Sequence, residues 1–183
     1  MKMDVGKEYV RVIIERFTNV KNLGDRTINQ LTDEDIHWAF NEESNSIAVI
    51  VKHISGNMIS RWTDFLHSDG EKPDRNREQE FINTISSKLE LIEIWEKGWS
   101  ILFRALNQLS EKDLLRNVFI RGETHSVMKA IERQMAHYAY HIGQIVYIGK
   151  MIRNTNWESL SIPEGKSEEY LQQILSDTRI KEK

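Results

Sequence analysis

The sequence contains no cysteine, so disulfides and thiolate metal ligands are excluded from every reading of it. Only two prolines occur, Pro73 and Pro163, both in stretches that other signals mark as loops, so neither interrupts the long periodic segments. Long apolar runs are missing too. The longest, "IAVIV" at 47–51, falls far short of the roughly 18 residues a membrane span needs. The opening MKMDVGKEYVRV is charged and lacks the apolar stretch of a leader peptide. Nor does one sign of charge dominate. With 25 Lys+Arg against 28 Asp+Glu and no long basic run, neither nucleic acid nor an anionic membrane is an expected partner. The expectation is a soluble cytoplasmic protein whose 183 residues, 1–183, form a single domain able to bury a proper core.

What the sequence does have is helical periodicity. Val5, Tyr9, Ile13, Phe17, Val20, Ile28 and Leu31 recur at helical spacing and predict a helix over about 3–31. Asn45 or Ser46 can cap a second helix over about 46–66. "HSDGEKPDRNREQ" reads as the clearest loop. Phe81, Ile85, Leu89, Ile92, Trp99, Leu102 and Leu106 suggest one stripe along a third helix over about 78–109. "NVFIRG" suggests a short extended piece, and Thr124 or Ser126 can cap a fourth helix over about 125–153. A short amphipathic tail helix is expected over about 167–175. Four long amphipathic helices with almost no strand signal specify an all-α four-helix bundle.

Six histidines are present, and two of them, His137 and His141 in "QMAHYAYHIGQ", stand four residues apart. On a helix they project from one face, so one helix can offer two imidazoles to one metal ion. The spacing alone arises by accident in roughly one such chain in six. The phase strengthens it: the pair shares a stripe with Ala130, Gln134, Gln144, Ile145 and Ile148 on or beside the core-facing side. A third ligand is available in His53, set in the middle of the apolar segment "SIAVIVKHISGNM". The competing reading is three core histidines satisfied by neighbouring helices. His37, His67 and His125 fall in a connection or at helix ends, where exposure or capping is expected.

Three neutral imidazoles suit a divalent metal such as zinc, nickel, copper or iron. They also leave a position for water or substrate, the pattern of a catalytic rather than a structural site. Gln144, one turn from His141, can bond a ligand histidine or pack between helices. Asn57 and Arg61 follow His53 at successive turns. Asn57 can line the site, and Arg61 can bind a substrate carboxylate or serve as a surface ion-pair partner. Tyr138 and Tyr140 are expected to pack. Two familiar metal sites are absent: Tyr138 stands where a zincin has its glutamate, and the di-iron E-x-x-H pair is missing.

These residues resemble the DinB-like (DinB/YfiT) superfamily of bacterial proteins regarded as metalloenzymes. The resemblance rests on "LTDEDIHWAF", on the lone histidine in "SIAVIVKHISGNMISRWTDF", and on "HYAYHIGQI", and "GNMISRWTDF" places the chain in an uncharacterised subfamily. It implies an up-down-down-up bundle, often a homodimer, with metal held by His53, His137 and His141. Relatives of that kind include mycothiol-dependent maleylpyruvate isomerase and bacillithiol transferases. The resemblance therefore implies a low-molecular-weight thiol such as bacillithiol as co-substrate, ionised on the metal, in an S-transferase or isomerase reaction on a small molecule. A metal-dependent hydrolase and a non-catalytic metal-binding bundle are the alternatives.

Overall fold

In the computed structural model, which describes residues 4–181 with side chains as far as residue 177, the chain is all-α with one small hairpin. The four long helices are α1 (Val5–Asn29), α2 (Ile47–Trp62), α3 (Lys88–Asn107) and α4 (Val127–Arg153), and a shorter α5 (Ser167–Lys181) follows. The expected start at residue 3 and both ends of the 1–183 span lie outside the described residues. The helices pack up-down-down-up, with α1 against α4 and α2 against α3. Each long helix begins where an oxygen-bearing side chain can take up its free N–H groups: Asp4, Ser46, Ser87 and Ser126 accept from the first turns of α1 to α4.

Two boundaries differ from expectation. The second helix stops at Trp62 rather than 66, because Thr63 turns extended and Asp64 takes a positive φ of 48°. The third begins at Lys88 rather than 78. Residues Glu78–Phe81 form a separate 3-10 turn, and Ser87 caps the true start. Ile85 is buried from the connection, whereas Leu89, on the expected stripe, is 69% exposed. The buried face of α3 is instead Leu91, Trp95, Gly98, Trp99, Leu102 and Leu106. The extended piece is real: β1 (Asn117–Ile120) pairs antiparallel with β2 (Glu123–Ser126) around Arg121 and Gly122, both at positive φ, as a two-residue hairpin requires.

Parallel α2 and α3 demand a connection that travels back along the bundle, and residues 63–87 are that crossover. It does not hang free. The Asp69 carboxylate accepts from the N–H groups of Arg121 and Gly122, and the Gly70 N–H donates to Phe119 O, tying its start to the hairpin. Its far end, the Glu78–Phe81 turn, lies against α2.

The core is aromatic at its centre. Phe17, Trp62, Trp95, Trp99 and Tyr138 are all 2% exposed or less and meet edge-on or tilted. The Trp95 ring lies over Gly24 of α1 so closely that a Cβ there would come within 2.4 Å of it. Trp95 is also held by a bond from its indole N–H to Asp25. Gly24→Ala is therefore expected to destabilise the fold. Overpacking costs about 1–3 kcal/mol, outweighing the ~1 kcal/mol that alanine gains over glycine in a helix. The check is the midpoint of urea unfolding; an unchanged or raised midpoint would mean that the ring can yield.

Candidate metal centre

Helix α2 presents His53 from its buried middle, and α4 presents His137 and His141 one turn apart toward it. The three rings stand nearly edge-on to one another, with centroids 5.5 Å (53–137), 5.1 Å (53–141) and 4.8 Å (137–141) apart. One nitrogen from each lies within 4.8 Å of the other two. The structure thus brings together the three histidines that the sequence singles out.

Hydrogen bonds fix which nitrogens are free. His53 Nδ1 lies 2.9 Å from Glu80 Oε2, and a carboxylate oxygen can only accept, so Nδ1 carries the proton of that bond and Nε2 is the nitrogen left for a metal. His141 Nδ1 likewise donates to Gln144 Oε1 at 2.8 Å, leaving its Nε2 free. That Nε2 stands 3.2 Å from His137 Nε2. Two ligands of one tetrahedral zinc at 2.0–2.1 Å are separated by about 3.3 Å, so this spacing suits a shared cation. Burial, and then the neighbouring His141 and His53, push the His137 pKa down to about 3. Burial lowers His141 as well, against the opposing bond to Gln144. Both are neutral near neutral pH, the state a metal needs. Donor chemistry, tautomers and spacing all fit a divalent cation held by His53, His137 and His141.

The residue that the sequence reading missed is Glu80. It is 6% exposed, and its two oxygens are gripped by a fork from Arg75, Nε to Oε1 at 2.7 Å and Nη2 to Oε2 at 2.8 Å. Burial pushes its carboxyl upward, but the bonds from His53 and Arg75 outweigh it and hold the pKa below the ordinary carboxylate range. Carboxylate, imidazole and prospective metal thus form the series that orients ligand histidines and raises their basicity. Phe81, next in the same turn, stacks on the His53 ring at 4.7 Å. Glu80 belongs to the crossover, 27 positions along from His53, so no local pattern could reveal the contact. The one sequence signal was topological: a connection between parallel helices must pass alongside α2.

The remaining candidates fall as follows. Gln144 bonds a candidate ligand histidine, the first of its two expected roles. Asn57 is buried and accepts from the Tyr138 hydroxyl at 2.9 Å, and that hydroxyl accepts from Trp62 Nε1 at 3.0 Å. The chain braces α2 against α4 one turn from His53. Arg61 is 5% exposed and no surface residue. Its guanidinium donates to Gly70 O and to Glu71, whose carboxylate also pairs with Arg75. Tyr138 packs as expected, fully buried, while Tyr140 is 64% exposed beside the His141 ring. His37 bonds Asn83, and His67 is exposed. His125, expected at an exposed helix start, is instead buried, because it occupies the inward-facing position of β2; neither ring nitrogen has a hydrogen bond.

Two outcomes are expected. Glu80→Gln replaces an acceptor of the Arg75 fork by a donor and weakens the hold on His53. Metal affinity, measured by competition with a chromophoric chelator, should fall roughly 10–100-fold; unchanged affinity would remove Glu80 from the site. The second concerns acid. His137 and His141 bind protons in the unfolded chain below about pH 6.5 but resist them when folded, and Glu80 acts in the same direction at lower pH. Stability of the metal-free protein should therefore fall as pH drops below about 6.5, by at most ~1.4 kcal/mol per pH unit for each proton and less where solvent screens the group. Urea melts across that range check it, and a flat profile would contradict buried neutral imidazoles.

Among known families, residues 4–166 match one described as "Protein of unknown function (DUF1572)", and no curated protein matches the chain. The matched stretch spans all four long helices, the crossover and every residue of the candidate centre. The chain belongs to this family.

Proposed function

We propose that this protein is a metal-dependent enzyme of DinB-like type, in which His53, His137 and His141 hold one divalent cation, zinc, nickel or iron. The reaction class we assign is S-transfer or isomerisation with a low-molecular-weight thiol such as bacillithiol. The observation that carries the reading is the pair of oriented imidazoles: Glu80 on His53 and Gln144 on His141 each engage Nδ1, which leaves both Nε2 atoms for a metal, and one nitrogen of each of the three histidines lies within 4.8 Å of the others.

When bound, a divalent cation supplies Lewis acidity and favours the ionised form of a thiol. The chain's own residues then have distinct tasks. Glu80 and Arg75 keep the His53 ring from turning. Gln144 does the same for His141. The Trp62–Tyr138–Asn57 chain sets the separation of the two helices that carry the ligands. Three neutral ligands leave room for an incoming anion such as a thiolate. The absence of cysteine is consistent with a nucleophile that arrives as a small molecule. A hydrolase would need a free general base near the histidines, and Glu80 has both oxygens committed to Arg75 and His53. The resemblance further supports a single-domain homodimer acting in the bacterial cytoplasm, and no described helix is long and apolar enough to cross a membrane.

The test is metal content of untagged protein that has never met a nickel column, beside His53→Ala and His137→Ala. Near-stoichiometric metal that disappears in both variants is expected, followed by thiol-dependent turnover in a screen of electrophiles. Protein that holds no metal even after reconstitution with zinc, nickel and iron would overturn the reading. Metal without thiol-dependent turnover, with stability lost on chelation, would make the centre structural.

A further inference from the structure

A cavity of about 460 Å³ opens between the connection that follows α1, the start of α2 and the C-terminal half of α4. We propose that it binds an aromatic group that is uncharged or cationic, and holds it on the Gln144 side of the histidine cluster. Its role as the seat of the second reactant rests on the metal-centre reading; its capacity to bind does not.

The walls set the chemistry. Trp38, Phe40 and Tyr147 bring three aromatic rings to the cavity, and Met151 adds a polarisable apolar surface. These side chains are 38%, 73%, 66% and 38% exposed, an uncommon amount of large apolar surface to leave in water at one place. Trp38 and Phe40 already meet edge-on, with centroids 6.5 Å apart, so they form a wall rather than two loose side chains. The volume lies in the range of small-molecule sites. Charge then selects among aromatic ligands. Glu43 supplies the one carboxylate of the lining, and no lysine, arginine or histidine contributes to it. An anionic ligand would meet a like charge and no cationic side chain, whereas a cation would meet a carboxylate and ring faces.

Gln144 joins the cavity to the cluster. It lines the cavity, and its Oε1 accepts from His141 Nδ1. Its amide –NH2 makes no hydrogen bond among the described residues, so two donors remain for an acceptor on the ligand. A ligand bonded there would sit one side chain from a prospective metal ligand. Positions 144, 147 and 151 of α4 recur at helical spacing, so the residues that reach the cluster and those that line the cavity share a face.

The experiment follows the indole N–H signals of the metal-free protein by NMR. Of the five tryptophans only Trp38 lines this cavity, and Trp38→Phe identifies its signal. Three probes of one shape are titrated: benzylammonium, benzyl alcohol and benzoate. The Trp38 signal should move with the first two, and benzylammonium should bind at least about tenfold more tightly than benzoate. Glu43→Gln should bring benzylammonium to within about twofold of benzyl alcohol. Phe40→Ala, at a position 73% exposed, should weaken both by roughly threefold or more. A Trp38 signal indifferent to all three probes, or benzoate binding best, would overturn the proposal. Protein that never takes up metal but still shows the Trp38 response would leave the cavity standing and remove the metal reading. Metal uptake with no response at Trp38 would do the reverse.

Discussion

Carboxylates and guanidinium groups taken out of water must be paired and hydrogen-bonded almost completely, or the segment that carries them cannot pack. The crossover between α2 and α3 meets that requirement with an unbroken series: His53 to Glu80, Glu80 to Arg75, Arg75 to Glu71, Glu71 to Arg61 and Arg121. Such a series contributes little net stability over an apolar core, but it enforces register. Slide the crossover by one residue and several buried charges lose their partners together. The position of His53, and with it the geometry of the three-histidine cluster, is therefore set by a segment that contributes no metal ligand of its own.

The series also reaches the hairpin. Asp69 receives two N–H groups of the tight turn, and its carboxyl is held below its ordinary value because those bonds, with that from Glu71 N–H, outweigh burial. Arg121 at the turn pairs with Glu71. Hairpin, crossover and α2 thus behave as one piece of structure, although they come from separate parts of the chain.

How much of this was legible depends on the range of each interaction. The spacing of His137 and His141, the lone histidine inside an apolar helix, the Ser46 and Ser126 caps and the bond from His141 to Gln144 are local, and periodicity exposes them. The start of α3 was misread because Phe81 and Ile85 happen to continue the phase of Leu89, while the signal that decides the boundary is the single cap Ser87. Arg61 looked like a surface residue because its partners, Gly70 and Glu71, lie past a helix end that the sequence reading put at about 66 rather than at Trp62. Glu80 was hidden because the expected third helix, starting near residue 78, took in the turn that carries it. His125 was placed at a helix start because a four-residue strand carries too few positions for alternation to stand out.

One further consequence follows from where the three imidazoles originate. His137 and His141 are neighbours on α4 and meet whenever that helix forms, but His53 comes from the other half of the chain and joins them only when α2 and α4 have docked. An unfolded or half-folded chain offers a metal two ligands; the native chain offers three, already oriented. On the proposed metal reading, binding would favour the native state, and a cation would stabilise the docked arrangement of α2 and α4. Loading would then report that the bundle has closed, because only the docked helices hold all three imidazoles in place.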